Sequence, residues 1–239
     1  PVQAQQDMAL GTPVVGVVTR RVLDHAHPDA SEVRRAPVGG AVIAGWADDF
    51  SLATMNGATD GSQVVPTATC SPTALEAGSP YGGLFDYNEA NVTTCQQSGW
   101  RVRSNGNLGA TDGYAGIIPN NTTIDLTGTA NTGNINSGTL TRTPANGTST
   151  QGMHLVSNPY PSALDWYEVS AGNTDLDGTA YLWLTSGGYQ GTYQPINAIT
   201  PGSSFIGASQ GYFVEALANG AVLNYNNTMR VEGNNNSFN

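Results

Sequence analysis

The sequence predicts an all-β protein: a tandem pair of related antiparallel β-sandwich units, jelly-roll-like or Greek-key-like, with a few short connector helices. Three observations predict it. Short runs rich in aromatic and β-branched residues recur along the chain, bounded by Gly, Asn, Asp or Pro. Helix signals are few and brief. The order of features in the first half also recurs in the second. With 239 residues, 38% of them hydrophobic, the chain is long enough for one large β domain or two small ones.

The expected strands, in chain order, are Val14–Thr19, Gly83–Tyr87, Gly113–Ile118, Thr122–Thr127, Met153–Ser157, Thr179–Leu184, Gly211–Leu217 and Ala221–Asn226, with a further short one at Thr139–Thr143. Asn219-Gly220 lies between two of these runs and predicts a two-residue hairpin, because both positions of a type I′ turn need positive φ. Pro119-Asn120-Asn121 occupies the corresponding place earlier in the chain. Three short helices are expected. One is capped by Ser162, with Asp165 three residues on, and ends at Gly172. The second opens at Ser71-Pro72 and runs over Thr73–Ala77; the third follows Asp48 and Asp49 over Phe50–Met55.

The repeat pairs Arg35-Ala36-Pro37 with Ser157-Asn158-Pro159, and Trp46-Ala47-Asp48 with Leu164-Asp165-Trp166. It goes on to pair Tyr81–Tyr87 with Tyr181-Leu182-Trp183, Asp112-Gly113-Tyr114 with Gln210-Gly211-Tyr212, and Ile124–Thr127 with Val222–Tyr225. The division expected from it is an N-terminal arm or extra strand at residues 1–33, a first β unit at 34–150 and a second at 151–239. Within the arm and just beyond it the composition shifts: Arg20–Arg35 carries four of the eight Arg and two of the three His.

Charge narrows the function classes. Charged residues make up 11% of the chain, against roughly 25% in ordinary soluble domains. There is no lysine, and the net charge is −10. Nucleic-acid phosphates and anionic lipid surfaces need Lys/Arg patches, so neither partner is expected. Lysine Schiff bases and Walker-type phosphate loops are excluded outright. No apolar run approaches the ~18 residues of a membrane-spanning helix. The chain starts at Pro1 without a signal-type segment and reads as a mature protein or a fragment. Cys70 and Cys95, in polar Thr-rich surroundings, are expected to form a disulfide, since neither has His or Cys partners at metal-ligand spacing. Closing that loop would stabilise by ~3 kcal/mol in the chain-entropy model. An oxidising, extracellular compartment is the corresponding expectation.

Candidate sites are few. Asn173, Asp175 and Asp177 place oxygen ligands at positions 1, 3 and 5 of a calcium loop, with Gly178 at 6. The twelfth position is Leu184 where a bidentate Glu is wanted, so a solvated turn is the preferred reading and no cofactor is expected, with calcium as the alternative. His25 and His27 read as an exposed polar arm, and His154 as a strand residue. There is no nucleophile elbow. The carboxylates Asp48, Asp49, Asp165 and Glu168 fall in short connectors and read as helix caps, not as the facing pair of a glycosidase. No catalytic residue is assigned. Aromatic residues are the better lead: exposed, Trp100, Tyr160, Tyr189 and Tyr193 would stack on sugar rings.

The second half carries a family resemblance. The stretch Gly152-Met153-His154-Leu155-Val156-Ser157-Asn158-Pro159-Tyr160-Pro161-Ser162-Ala163-Leu164-Asp165-Trp166 resembles the "GWNLVGNPYPSAIDW" segment of large secreted surface proteins of Bacteroidetes. Similar echoes lie at Ala180-Tyr181-Leu182-Trp183, Gln210-Gly211-Tyr212-Phe213-Val214 and Asn227-Thr228-Met229-Arg230. Modules of this kind usually precede a type IX secretion sorting domain; here the sequence stops in an Asn-rich tail at Asn234–Asn239. The resemblance implies export and display at the cell surface and carries no catalytic residues. Met153-His154 stands where the pattern has Trp-Asn, and Pro1–Val33 has no counterpart in it. The expected function is therefore non-catalytic, structural or adhesive. A self-assembling fibre or sheath subunit is one form, with Val14, Val15, Val17 and Val18 on the strand offered to the next copy. The alternative is a carbohydrate-binding module of a secreted hydrolase or adhesin.

Overall fold

The computed structural model describes residues 41–44, 74–75, 84–92, 99–102, 109–116, 130–143, 151–187, 190–208 and 210–232. It is an all-β structure with one six-residue α-helix and two 3₁₀ turns among the described residues. The first half supplies β1 (Ala41–Ala44), β2 (Ala74–Leu75), β3 (Leu84–Tyr87), β4 (Trp100–Val102) and β5 (Gly113–Gly116), with the 3₁₀ turn η1 (Glu89–Asn91). They form one sheet in the order β1-β5-β3-β4-β2, antiparallel except that β2 pairs parallel to β4. The second half builds a four-stranded antiparallel sheet in the order β10-β9-β12-β7, from β7 (Met153–Ser157), β9 (Thr179–Gly187), β10 (Gln190–Asn197) and β12 (Gly211–Glu215).

These two sheets share a connectivity. Numbered along the chain, β1, β3, β4 and β5 correspond to β7, β9, β10 and β12, and in both sheets the fourth strand slots between the first and the second. The Gly-Tyr strands at Gly113-Tyr114 and Gly211-Tyr212 occupy that same inserted place. A Greek key runs 4-1-2-3 instead. Here the Gly-Tyr strand takes the interior position, where side chains on both of its faces can be buried. The pairing of Pro37 with Pro159 does not carry over, since Pro37 precedes β1 and Pro159 follows β7.

The four-stranded sheet is a middle layer, covered on both faces except along its outer strand β10, where Thr192 and Gln194 are exposed. Strand residues alternate in direction, and their partners divide accordingly. Met153 and Leu155, Tyr181 and Trp183, Tyr193, and Phe213 join Phe85, Tyr87, Trp100 and Ala115 of the first sheet in one core. Val156, Ala180, Leu182, Tyr212 and Val214 face a second core. That second core is closed by α1 (Trp166–Ala171) and by two small sheets. One is β11-β8-β14, from β8 (Ala163–Asp165), β11 (Phe205–Ile206) and β14 (Arg230–Val231); the other pairs β13 (Ala221–Tyr225) with β6 (Ile135–Leu140). The first of these cores draws its residues from both halves of the chain. Phe213 is its hinge-pin: its ring meets Tyr87 at 5.1 Å, Tyr193 at 5.5 Å and Trp100 at 6.0 Å, all edge-to-face. Each such pair adds ~0.5–1.5 kcal/mol beyond the area it buries.

The sheets also join at one side. Asp112 bridges Val156, and Ser157 N donates to Thr111 O at 2.9 Å. Gly113 is required there, because a Cβ would stand 2.6 Å from Leu155 Cγ and 2.7 Å from the Val156 carbonyl oxygen.

Several local expectations are corrected. The helix predicted to start at Ser162 begins three residues later, with Asp165 as its N-cap accepting from Tyr167 N. Ala163 and Leu164 are drawn instead into β8, between β11 and β14. Gly172 does end the helix. Ala74–Leu75, within the expected second helix, is strand β2. The Asn219-Gly220 turn, with Gly220 at φ 95°, does not make a hairpin. Both sides of β12 are occupied by β7 and β9, so the chain crosses to another sheet and β13 pairs with β6. The expected strands Val14–Thr19 and Thr122–Thr127 and the helix after Asp49 lie outside the described residues.

Candidate functional site

The motif segment Asn158–Trp166 is the most specific stretch of the sequence, and each polar group in it has an architectural partner. Asn158 is fully buried. Its Nδ2 donates to the carbonyls of Ser162 (2.8 Å), Gly207 (2.9 Å) and Ile206 (3.4 Å), and its Oδ1 accepts from Tyr160 N (2.9 Å). One side chain thereby holds the motif loop to the β11 region. The Tyr160 hydroxyl donates to Gly133 O, and the Arg230 guanidinium lies 5.1 Å above its ring while donating to Ser162 Oγ. Asp165 caps α1 through Oδ1 and accepts from Gly202 N through Oδ2. Trp166, wholly buried, donates from Nε1 to Gly178 O at 3.0 Å and packs edge-to-face on Tyr212.

Three of the four residues singled out for sugar stacking do not present a face. Trp100, Tyr160 and Tyr193 are buried, Trp100 and Tyr193 in the core between the sheets and Tyr160 against Tyr225. The apolar area of an aromatic ring is worth more inside than a solvated position leaves it. Tyr189 lies outside the described residues, as do Cys70 and Cys95, and Val14, Val15, Val17 and Val18. The calcium half-loop is not assembled either. Asn173 is buried, donating from Nδ2 to Val169 O and Asn224 O and accepting at Oδ1 from Asn224 N (2.6 Å). Asp177 turns its Oδ1 to Thr179 N, and Asp175 is exposed. These side chains pin the end of α1 to β13 and shape a turn. Among the described residues, no group of three or more His, Cys, Asp and Glu could hold a metal ion.

Two features escaped the sequence reading. The first is Glu89, 1% exposed at the start of η1. Oε1 accepts from Thr143 N (2.9 Å), Thr143 Oγ1 (2.6 Å) and Gly152 N (3.0 Å), and Oε2 from Thr141 Oγ1 (3.0 Å). Burial pushes this carboxyl up, but the hydrogen bonds outweigh it and hold it below the usual carboxylate range. Close by, His154 Nε2 lies 2.7 Å from Thr141 O. Burial pushes the imidazole down, against that bond and the Glu89 charge, which favour its protonated form. Arg142 completes the cluster by donating to Glu215 Oε1 (2.8 Å) and to the Ala216 and Gln151 carbonyls. A carboxylate with four donors on it, beside a desolvated imidazole, forms a clasp that ties η1 to the 141–143 segment and to Gly152 at the head of β7. No sequence signal marks Glu89, because its donors come from residues 52 to 63 positions away.

The second is an open groove of about 530 Å³ along the outer strand β10, bordered by the loop that leads to β11. Its lining includes Gln194, Pro195, Asn197, Ile199, Thr200 and Phe205. Only the turn signal Thr200-Pro201-Gly202 hints at it in the sequence.

Fold and clasp together define an all-β domain whose two halves are built into one another. Residues 64–239 match the family model described as a domain of unknown function, DUF8693, and the chain belongs to that family. No curated protein and no solved structure matches it.

Proposed function

We propose that this chain is a non-catalytic structural or adhesive module displayed outside a bacterial cell. One observation carries the reading: the polar side chains of the motif that resembles Bacteroidetes surface proteins are committed to holding the fold, with Asn158, Tyr160, Asp165 and Trp166 all bonded to backbone. A segment of that kind specifies a scaffold. The low charge and absent lysine fit a surface that associates through neutral, hydrogen-bonding faces. A fibre or sheath subunit is the concrete form, with Val14–Thr19 as the strand donated to the next copy. The outer strand β10 is a poor acceptor for it, since Pro195 lacks the donor that a ladder needs.

The test is fractionation of the native cells followed by electron microscopy of the surface material. Recovery in the outer fraction as filaments or sheets is expected, with assembly lost when residues 1–20 are deleted. A cytoplasmic location would overturn the reading, and assembly unchanged by the deletion would overturn the role of the arm.

A further inference from the structure

We propose that the β10 groove is a binding site for a neutral oligosaccharide. The inference stands apart from the structural role, because it uses none of the motif residues that carry that role. The groove's volume of about 530 Å³ lies within the range of roughly 300–1,000 Å³ typical of small-ligand sites. Its walls hold no charged residue. They are instead lined by amides and hydroxyls, which donate and accept alike, interleaved with small apolar surfaces.

Gln194 and Thr200 are exposed, and their side chains make no hydrogen bond among the described residues. Ser203 and Ser204 each donate to a backbone carbonyl, of Thr200 and Asn197, and keep acceptor lone pairs for a ligand. The apolar part is Pro195, the half-buried Phe205 and Ile199, which at 75% exposure is the most exposed large hydrophobic side chain of the described residues.

This chemistry matches a sugar chain. Each pyranose hydroxyl is both donor and acceptor, and each ring has a C–H face that packs on apolar surface. An anionic glycan would find no cation in the walls and a chain of net charge −10 around them. An extended peptide would meet Pro195 in the middle of the edge, where it needs an N–H. The groove therefore selects a neutral polyhydroxyl ligand by exclusion of charge and by paired amide and hydroxyl contacts.

The full chain would be titrated, by heteronuclear NMR and calorimetry, with neutral hexasaccharides of xylose, glucose (α- and β-linked), mannose and N-acetylglucosamine. Hexagalacturonate and an uncharged extended peptide would serve as comparison probes. We expect at least one neutral hexasaccharide to bind, with shifts confined to residues 194–205. The double variant Gln194→Ala/Thr200→Val should weaken it tenfold or more at unchanged Tm, both positions being solvent-exposed. Absence of binding across the neutral panel, tighter binding of the anionic or peptide probe, or equal affinity in the double variant would each overturn the proposal. None of these results bears on filament formation, which microscopy reads separately.

Discussion

Replacing Asn158 by Asp changes one NH₂ to an oxygen and leaves volume almost constant, so it isolates the chemistry of the motif loop. In the native structure Nδ2 lies 2.8 and 2.9 Å from two carbonyl oxygens, and a third is at 3.4 Å. An ionised carboxylate there would face three acceptors in a fully buried site. The introduced carboxyl must therefore stay protonated in the folded state. Holding it so at pH 7.5 costs about 5 kcal/mol, at ~1.36 kcal/mol for each pH unit above a free aspartate value of ~3.9. At pH 5.0 the same arithmetic leaves about 1.5 kcal/mol. Loss of one of the two amide donors adds about 1 kcal/mol at either pH. The sign follows from linkage: the folded-state pKa is raised, the folded state binds the extra proton, and stability falls as pH rises. Urea unfolding of wild type and Asn158→Asp at pH 5.0 and 7.5 measures it. The penalty relative to wild type should grow by about 3 kcal/mol between the two, out of a total stability of ~5–15 kcal/mol. Asn158→Ala should instead show a penalty that does not vary with pH relative to wild type. A pH-independent penalty for Asn158→Asp, or one below about 1 kcal/mol at pH 7.5, would refute the assignment of these hydrogen bonds.

Four further outcomes are expected. Gly113→Ala forces a methyl against backbone where the two sheets join, and should lower stability by about 2 kcal/mol; an unchanged Tm would mean that the sheets are not in contact there. Glu89→Gln should cost about 2 kcal/mol at neutral pH, since the charge-assisted bonds that Oε1 accepts from Thr143 N, Thr143 Oγ1 and Gly152 N become neutral ones. The depressed Glu89 carboxyl contributes stability that is present above the unfolded value of ~4.3 and lost as pH falls through the folded one, so acid unfolding of the variant should be shallower; parallel acid curves would refute this. Because burial also depresses His154, wild-type stability should decline as pH falls below ~6.5, and His154→Gln should flatten that slope between pH 7.5 and 5.5 in urea melts. Finally, Trp166→Phe should be about 1 kcal/mol costlier than Trp183→Phe, because Trp166 Nε1 donates to Gly178 O whereas Trp183 Nε1 has no partner among the described residues; equal losses in thermal melts would contradict it.

Strand character at β7, β9, β12 and β13 was legible in the sequence because β-branched and aromatic runs between turn residues are local signals. So was the stop at Gly172. The match of the Gly-Tyr strands also pointed to equivalent places in two sheets of like connectivity. What the sequence did not disclose is which faces those strands bury. Tyr181-Leu182-Trp183 and Tyr212-Phe213-Val214 read as apolar runs without alternation, and such runs are the mark of a strand covered on both sides. That cover comes from distant segments, so the aromatics expected on a sugar-binding surface became the core between the halves. For the same reason Asn219-Gly220 had the composition of a hairpin yet no free strand edge to fold back upon. Sequence by itself therefore determined the all-β class, the turn positions and the motif. Tertiary structure alone decided the shared core, the Glu89 clasp and the β10 groove, because hydrogen bonding and burial between residues far apart in the chain are set by packing and not by local propensity.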